Sequence, residues 1–305
     1  MKENTFMDEI TKGNFRAISR AISLVENESE GSRELLLKLD FSKKVPVIGI
    51  TGPPGAGKST LVNMLIRHIT NAGKKVGIVA IDPTSPFNYG SLLGDRIRMV
   101  EHFNNDSVFI RSLATRGSLG GLSTKTIEVV DIMKAASFDY ILVETVGVGQ
   151  SEVEIVGLAD TTIVVLVPEA GDEIQTIKSG LMEIADIFVV NKADHIGADE
   201  FAGNIKKLLH QRPQSNWSVP VVKTIADKNE GIGELFAHIE QHHPVSENTK
   251  KPFLLVEKAF KLIQQNRMRN IRRADLLKSI LANLGNDNFN LYRFVKQFDN
   301  KEIES

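Results

Sequence analysis

The chain has 305 residues, 42% hydrophobic and 25% charged, and its 37 basic against 38 acidic residues leave a formal charge of -1, which gives no global sign of a nucleic-acid or acidic-membrane partner. It contains no cysteine, which excludes disulfides, thiolate zinc sites and cysteine nucleophiles. The length suits one large α/β domain with appendages or two small domains; residues 1 to 19 hold no uninterrupted apolar core and no later run reaches the length of a membrane span, so a cytoplasmic protein is expected.

Residues 5 to 39 read as helical. Phe15, Ile18, Ala21, Ile22 and Val25 fall on one stripe, and Glu34 to Leu39 forms a second short helix after Glu30-Gly31-Ser32. The pair is expected to face a core, as an N-terminal extension over residues 1 to 44. Val45 to Thr51 is then a buried strand, and Leu61 to Ile69 carries apolar residues at helical spacing.

Between them stands Gly52-Pro53-Pro54-Gly55-Ala56-Gly57-Lys58-Ser59-Thr60, a phosphate-binding loop in the strand-loop-helix setting that such a motif requires. Its glycines let backbone N–H groups turn inward onto a β-phosphate, and the helix that begins there adds the positive end of its dipole. Lys58 would reach the β- and γ-phosphates, and the Ser59 hydroxyl would ligate Mg²⁺.

Short apolar strands alternate with helices from here, the pattern of a mostly parallel, doubly wound sheet. Val76 to Ile81 ends in Asp82-Pro83-Thr84-Ser85-Pro86, which puts a carboxylate at the sheet edge where open α/β folds bind ligands. Phe87 to Arg98 is long and polar, as a segment that orders around a γ-phosphate would be. Val108 to Arg111 is a strand, Thr124 to Ala136 a helix and Tyr140 to Val143 a strand that delivers Glu144. That acid would face the metal and its water, and Gly147 in the turn beyond could offer its N–H to the γ-phosphate.

Thr161 to Val167 and Ile187 to Val190 are further strands, the second running into Asn191-Lys192-Ala193-Asp194. A carboxylate there accepts from guanine N1–H and the 2-amino group, donors that adenine lacks, and a buried acceptor left unpaired penalises the wrong base. Asn191 is expected on the far edge of the base, with the Lys192 stem over its face. Val219 to Val222 is the last strand, and the turn Ile225-Ala226-Asp227 beyond it would line the base, Ala226 offering its N–H to the base carbonyl. Gly231 to His243 is a helix, whose His242-His243 pair is expected at a solvated helix end. Beyond Lys251 an apolar stripe (Phe253, Val256, Phe260, Ile263) opposite a basic surface (Lys258, Lys261, Arg267, Arg269, Arg272, Arg273) and two helices, Ala274 to Leu284 and Phe289 to Phe298, suggest an arm for self-association.

These motifs coincide in one family. The blocks ITGPPGAGKST, IDPTSP, GSLLGDRIRM, FDYILVETVGVGQSE, AGDEIQTIKSG and VVNKAD occur in order, and with the helix over residues 14 to 26 the chain resembles the MeaB/ArgK-type P-loop GTPases of the G3E-like group. The resemblance implies a homodimeric, Mg²⁺-dependent GTPase that acts as chaperone of a cobalamin-dependent acyl-CoA mutase, chiefly methylmalonyl-CoA mutase, gating cofactor loading and protecting the holoenzyme. It puts Asp82, Asp95 and Glu144 on the metal and switch acids, Arg98 on a switch arginine for hydrolysis, and Asp172, Gln175 and Lys178 on a third switch. The chain departs from the family pattern at Phe87-Asn88-Tyr89, Glu169 and Ile225-Ala226-Asp227.

The fold expected is therefore α/β, a P-loop NTPase with an N-terminal helical extension (1–44), a GTPase domain (45–245) and a C-terminal helical dimerisation arm (246–305). Hydrolysis would proceed by in-line attack of water at a low intrinsic rate raised by a partner; Gln150, Glu144 and Asp82 all stand open as the group that orients that water. The competing readings are a nickel-inserting GTPase, disfavoured by the lack of cysteine and of a histidine-rich tract, a transport-associated ATP-dependent kinase, disfavoured by Asp194, and a nucleotide-dependent scaffold with negligible turnover.

Overall fold

The computed structural model describes residues 3–82, 99–102, 104–114, 124–145, 155–168, 181–211, 216–245, 251–268, 271–284 and 289–299. Among these residues seven strands form one sheet: β1 (Val47–Thr51), β2 (Val76–Asp82), β3 (Val108–Ala114), β4 (Tyr140–Glu144), β5 (Thr161–Leu166), β6 (Ile187–Val190) and β7 (Val221–Lys223). Their order is β3-β2-β4-β1-β5-β6-β7 and every pairing is parallel. A parallel sheet sends all strand C-termini to one edge, so the residues that follow β1, β4, β6 and β7 gather there.

The inner strands β1, β5 and β6 are buried on both faces, which is why they read as near-continuous apolar runs rather than alternating ones. On one face, α4 (Lys58–Asn71) and α7 (Ile232–Val245) pack Leu61, Leu65, Leu235 and Ile239 against Ile48, Ile50, Leu142 and Val165. The opposite face is covered by α1 (Glu3–Thr11), α2 (Phe15–Glu26), α3 (Ser32–Leu37) and α5 (Thr124–Lys134). Phe15 from α2 meets Phe109 of β3 and Phe138 at ring-centroid distances of 5.3 and 6.1 Å. Toward β6, α6 (Ala198–Leu209) seals a third cluster with Phe201, Ala202 and Ile205 on Phe188 and Val190.

Two details depart from the sequence expectation. The N-terminal extension holds three helices, because Gly13 turns the chain with φ +78° and Asn14 starts α2 afresh, its Oδ1 accepting from the N–H groups of Arg16 (3.0 Å) and Ala17 (3.2 Å). His242, expected at a solvated helix end, is only 6% exposed. Helix α7 continues to Val245, and this turns the imidazole onto the sheet, where Nδ1 lies 2.8 Å from Thr161 Oγ1 and the ring meets Trp217 at 4.8 Å.

The chain forms two compact units, Met1–Leu255 and Val256–Ser305. The second contains most of α8 (Lys251–Met268) together with α9 (Arg273–Asn283) and α10 (Leu291–Asp299). Among its described residues Phe294 is buried and meets Phe289 at 5.9 Å, while Val256, Phe260, Leu277, Leu281, Leu284 and Leu291 are exposed. No helix among the described residues is long and apolar enough to cross a membrane.

Candidate nucleotide site

The glycines of the phosphate loop are fixed by their surroundings. Gly52 leaves β1 with φ +139°, and a Cβ there would stand 2.1 Å from the Val165 carbonyl oxygen of β5. Gly57 opens α4 with φ +84°, and its Cβ would stand 2.3 Å from Asn191 Nδ2. Only a residue without a side chain meets both demands, backbone sign and close approach. Ala56 is fully buried, whereas Pro54, Gly55 and Thr60 are exposed.

Lys58 is buried in the first turn of α4, and its Nζ donates to the carbonyl oxygens of Gly52 (2.7 Å) and Pro53 (2.8 Å). The ammonium therefore crosses the mouth of its own loop, where phosphate oxygens would be stronger acceptors than neutral carbonyls. One residue on, the Ser59 hydroxyl donates to Glu144 Oε1 at 2.6 Å, both side chains being buried. Below this pair Thr145 Oγ1 donates to Thr51 Oγ1 at 2.9 Å, and the Thr145 N–H donates to the Ile50 carbonyl at 3.0 Å. These bonds hold the ends of β1 and β4 together under the loop. Thr51 and Thr145 had no role in the sequence reading; each is the first hydroxyl at the end of an apolar strand, which is the signal that would have found them.

A hydroxyl and a carboxylate, both oxygen donors beside a phosphate loop, suit Mg²⁺, which takes one or two protein ligands and completes its shell with phosphate oxygens and water. Among the described residues no group of three or more His, Asp or Glu side chains comes together as an all-protein metal cage. The donor set thus fits a magnesium that arrives with a nucleotide.

The base-reading elements follow β6 and β7. The Asn191 side chain, 3% exposed, is committed to the protein: Nδ2 donates to the Ala56 carbonyl at 2.9 Å, and Oδ1 accepts from Thr224 Oγ1 at 3.0 Å and from the Ala226 N–H at 3.2 Å. Asn191 thereby braces the phosphate loop against the β7 turn, with the Ala226 N–H bonded to its Oδ1. The reason is burial, since a buried amide must find partners within the fold. Thr224, adjacent to the turn singled out in the sequence, is the residue that was missed.

Lys192 adopts φ +54°, a left-handed conformation that turns the chain so that Asp194 points outward. Asp194 is 39% exposed and its Oδ2 accepts from Lys228 Nζ at 3.2 Å. That hydrogen bond holds its carboxyl below the usual carboxylate range, and the Lys228 ammonium is raised in return. Asp227 is exposed, and Ile225 is tied to Glu230 by a pair of backbone hydrogen bonds of 3.2 Å. Asp82 ends β2, two residues beyond the Ala80 that pairs with Glu144. The candidates Asp95, Arg98, Gly147, Asp172, Gln175 and Lys178 lie outside the described residues, as do Gln150 and the departures at residues 87–89 and 169.

This constellation of strand-end loops is matched by known sequences. Residues 18–284 match the family described as methylmalonyl Co-A mutase-associated GTPase MeaB. The chain belongs to the MeaB family of GTPases. It is 49% identical over 264 residues to a Pyrococcus abyssi protein whose name places it among the GTPases, covering 85% of this chain and 81% of that one. It is 35% identical to the GTPase ArgK of Escherichia coli over 237 residues (74% of this chain, 72% of the relative), and 35% identical to the mouse mitochondrial methylmalonic aciduria type A homolog over 262 residues (77% and 62%). A crystal structure of an LAO/AO transport system kinase superposes with a TM-score of 0.68 at 23% identity, each chain covered to 98%, a likeness that concerns the fold. The protein is thus a P-loop GTPase that binds guanine nucleotide and hydrolyses GTP.

Proposed function

We propose that this GTPase is a Mg²⁺-dependent chaperone of a cobalamin-dependent acyl-CoA mutase, of which methylmalonyl-CoA mutase is the leading candidate, and that it gates cofactor loading and protects the holoenzyme. The Ser59–Glu144 bond beside the phosphate loop carries the chemical half of this reading. The family match and the mouse relative support the partner.

In the proposed mechanism Lys58 exchanges the Gly52 and Pro53 carbonyls for β- and γ-phosphate oxygens, within the N–H cradle of residues 52–60. Ser59, Asp82, Asp95 and Glu144 hold the metal, directly or through water, and the metal supplies charge neutralisation at the phosphates. Gly147 donates its N–H to the γ-phosphate. Asp194 reads the guanine N1–H and 2-amino group, while Lys192 and the turn 225–227 line the base. Arg98 completes the site when a partner docks, so intrinsic turnover is slow and partner-stimulated turnover fast. Asp172, Gln175 and Lys178 form a third switch. Residues 246–305 serve as a homodimerisation arm, a reading supported by the exposed apolar side chains of α8 to α10. The reading also makes the protein cytoplasmic.

The test is capture of purified methylmalonyl-CoA mutase by the full chain with a non-hydrolysable GTP analogue, alongside GTP turnover with and without the mutase. Nucleotide-dependent capture and stimulated turnover that Arg98→Ala abolishes are expected. Lack of capture in every nucleotide state would remove the chaperone reading and leave the GTPase intact.

A further inference from the structure

We propose that Lys228 is a second base-reading residue, its ammonium held by the Asp194 carboxylate and donating to the 6-oxo group of guanine. The inference rests on the reading of Asp194 as the guanine-reading carboxylate.

Asp194 and Lys228 come from different strand ends whose relative position is fixed. The Ala193 N–H donates to the Thr224 carbonyl at 3.0 Å, and Asn191 Oδ1 accepts from Thr224 and Ala226. Both side chains stand in solvent, Asp194 39% and Lys228 53% exposed, with Lys228 Nζ 3.2 Å from Asp194 Oδ2. An ion pair this exposed contributes little to folding, so the geometry is available to a ligand.

Guanine carries its 2-amino group, N1–H and 6-oxo group along one edge. A carboxylate that accepts from the first two has one oxygen beside the 6-oxo group, and an ammonium bound to that oxygen reaches both. Lysine has three protons to give and no acceptor to satisfy, so one can remain on Asp194 while a second goes to the base. Adenine places an amino group at C6, and donor would face donor there. Asp194 alone distinguishes bases by what they donate; with Lys228 the site also tests what they accept. The opposite arrangement, in which Lys228 plugs Asp194 and must be displaced by the base, predicts the opposite sign on its removal.

Calorimetric titration of the full-length protein with GDP, IDP and ADP separates these. IDP retains the 6-oxo group but lacks the 2-amino group, and ADP lacks both. In Lys228→Met the affinities for GDP and IDP are expected to fall by the same factor, about tenfold, with ADP unchanged and Lys228→Arg close to wild type. Unchanged GDP affinity, tighter GDP binding, or an equal loss for all three nucleotides would each overturn the proposal. If the wild-type protein binds ADP as well as GDP, the Asp194 reading itself fails and takes Lys228 with it. A GDP-over-ADP preference of the same size in Lys228→Met as in the wild type removes Lys228 alone.

Discussion

The Ser59 hydroxyl donates to Glu144 Oε1 across 2.6 Å, joining the first turn of α4 to the last residue of β4. Glu144→Ala removes the acceptor that orients this hydroxyl. Phosphate release measured over a Mg²⁺ titration should then show activity or metal affinity lowered by about 10- to 100-fold. GDP binding in chelator should change little, since Lys58 and the loop N–H groups are untouched. Wild-type turnover with a wild-type Mg²⁺ midpoint would show that the pair has no part in metal use.

Asn191 braces three segments through one amide. In Asn191→Ala the Ala56 carbonyl, the Thr224 hydroxyl and the Ala226 N–H lose a buried partner together, and destabilisation of about 2–4 kcal/mol is expected in chemical denaturation. Nucleotide affinity should fall with it, because the loop and the base turn lose their common brace. A loss below about 0.5 kcal/mol would mean that water replaces the amide without cost.

Gly57→Ala tests the same contact from the other side. A methyl group 2.3 Å from Asn191 Nδ2, on a residue with φ +84°, forces the loop, the amide or both to move. The strain should cost about 1–3 kcal/mol of stability and weaken GDP binding, and Asn191→Ala should partly relieve the steric share of it. Additive effects in the double variant would contradict the direct clash.

Asp194→Asn replaces an acceptor-only group with one that also donates. Preference for GTP over ATP in competition binding should drop by about 10²-fold or more. Xanthosine nucleotides, which carry an oxo group at C2, should gain. An unaltered preference would put base selection elsewhere in the chain.

A pH dependence is expected from His102, which is 5% exposed and next to Glu101, itself bound to Arg67 of α4. Burial lowers the imidazole pKa, and the Glu101 carboxylate 3.3 Å from Nε2 offsets that only in part. The unfolded chain therefore takes up this proton near the ordinary value of about 6.5, while the folded protein resists it. The stabilisation is complete above that value and is lost as pH falls from it toward the lower folded pKa. Denaturation midpoints measured from pH 7.5 to 5 should fall, and His102→Gln should flatten the slope. An equal slope in the variant would assign the acid sensitivity to other groups.

The sheet was legible in the sequence because its inner strands are buried on both faces: Val47–Thr51, Tyr140–Glu144 and Ile187–Val190 are apolar runs too short for helices. The phosphate loop was legible because its glycines carry the turn: Gly52, Gly55 and Gly57 all have positive φ. What could not be read was partnership. Asn191 bonds Ala56, which lies 135 positions away, and Thr51 meets Thr145 across 94, and no local pattern encodes either contact. The break at Gly13-Asn14 was hidden by apolar spacing that continues on both sides of it. His242 was misjudged because its neighbours His243 and Pro244 suggest a chain end, whereas burial is decided by Thr161 and Trp217.

The aromatic contact of Phe15 with Phe109 and Phe138 bears on how this protein can be cut. Ile18, Ile22 and Val25 lie in one core with Val79, Val129, Met133 and Val143, so α1 to α3 complete one wall of the sheet rather than decorate it. A GTPase domain expressed from residue 45 would keep every group assigned to nucleotide chemistry and still bare an apolar flank. Such a fragment would precipitate or be degraded before it could be assayed, and its inactivity would say nothing about catalysis.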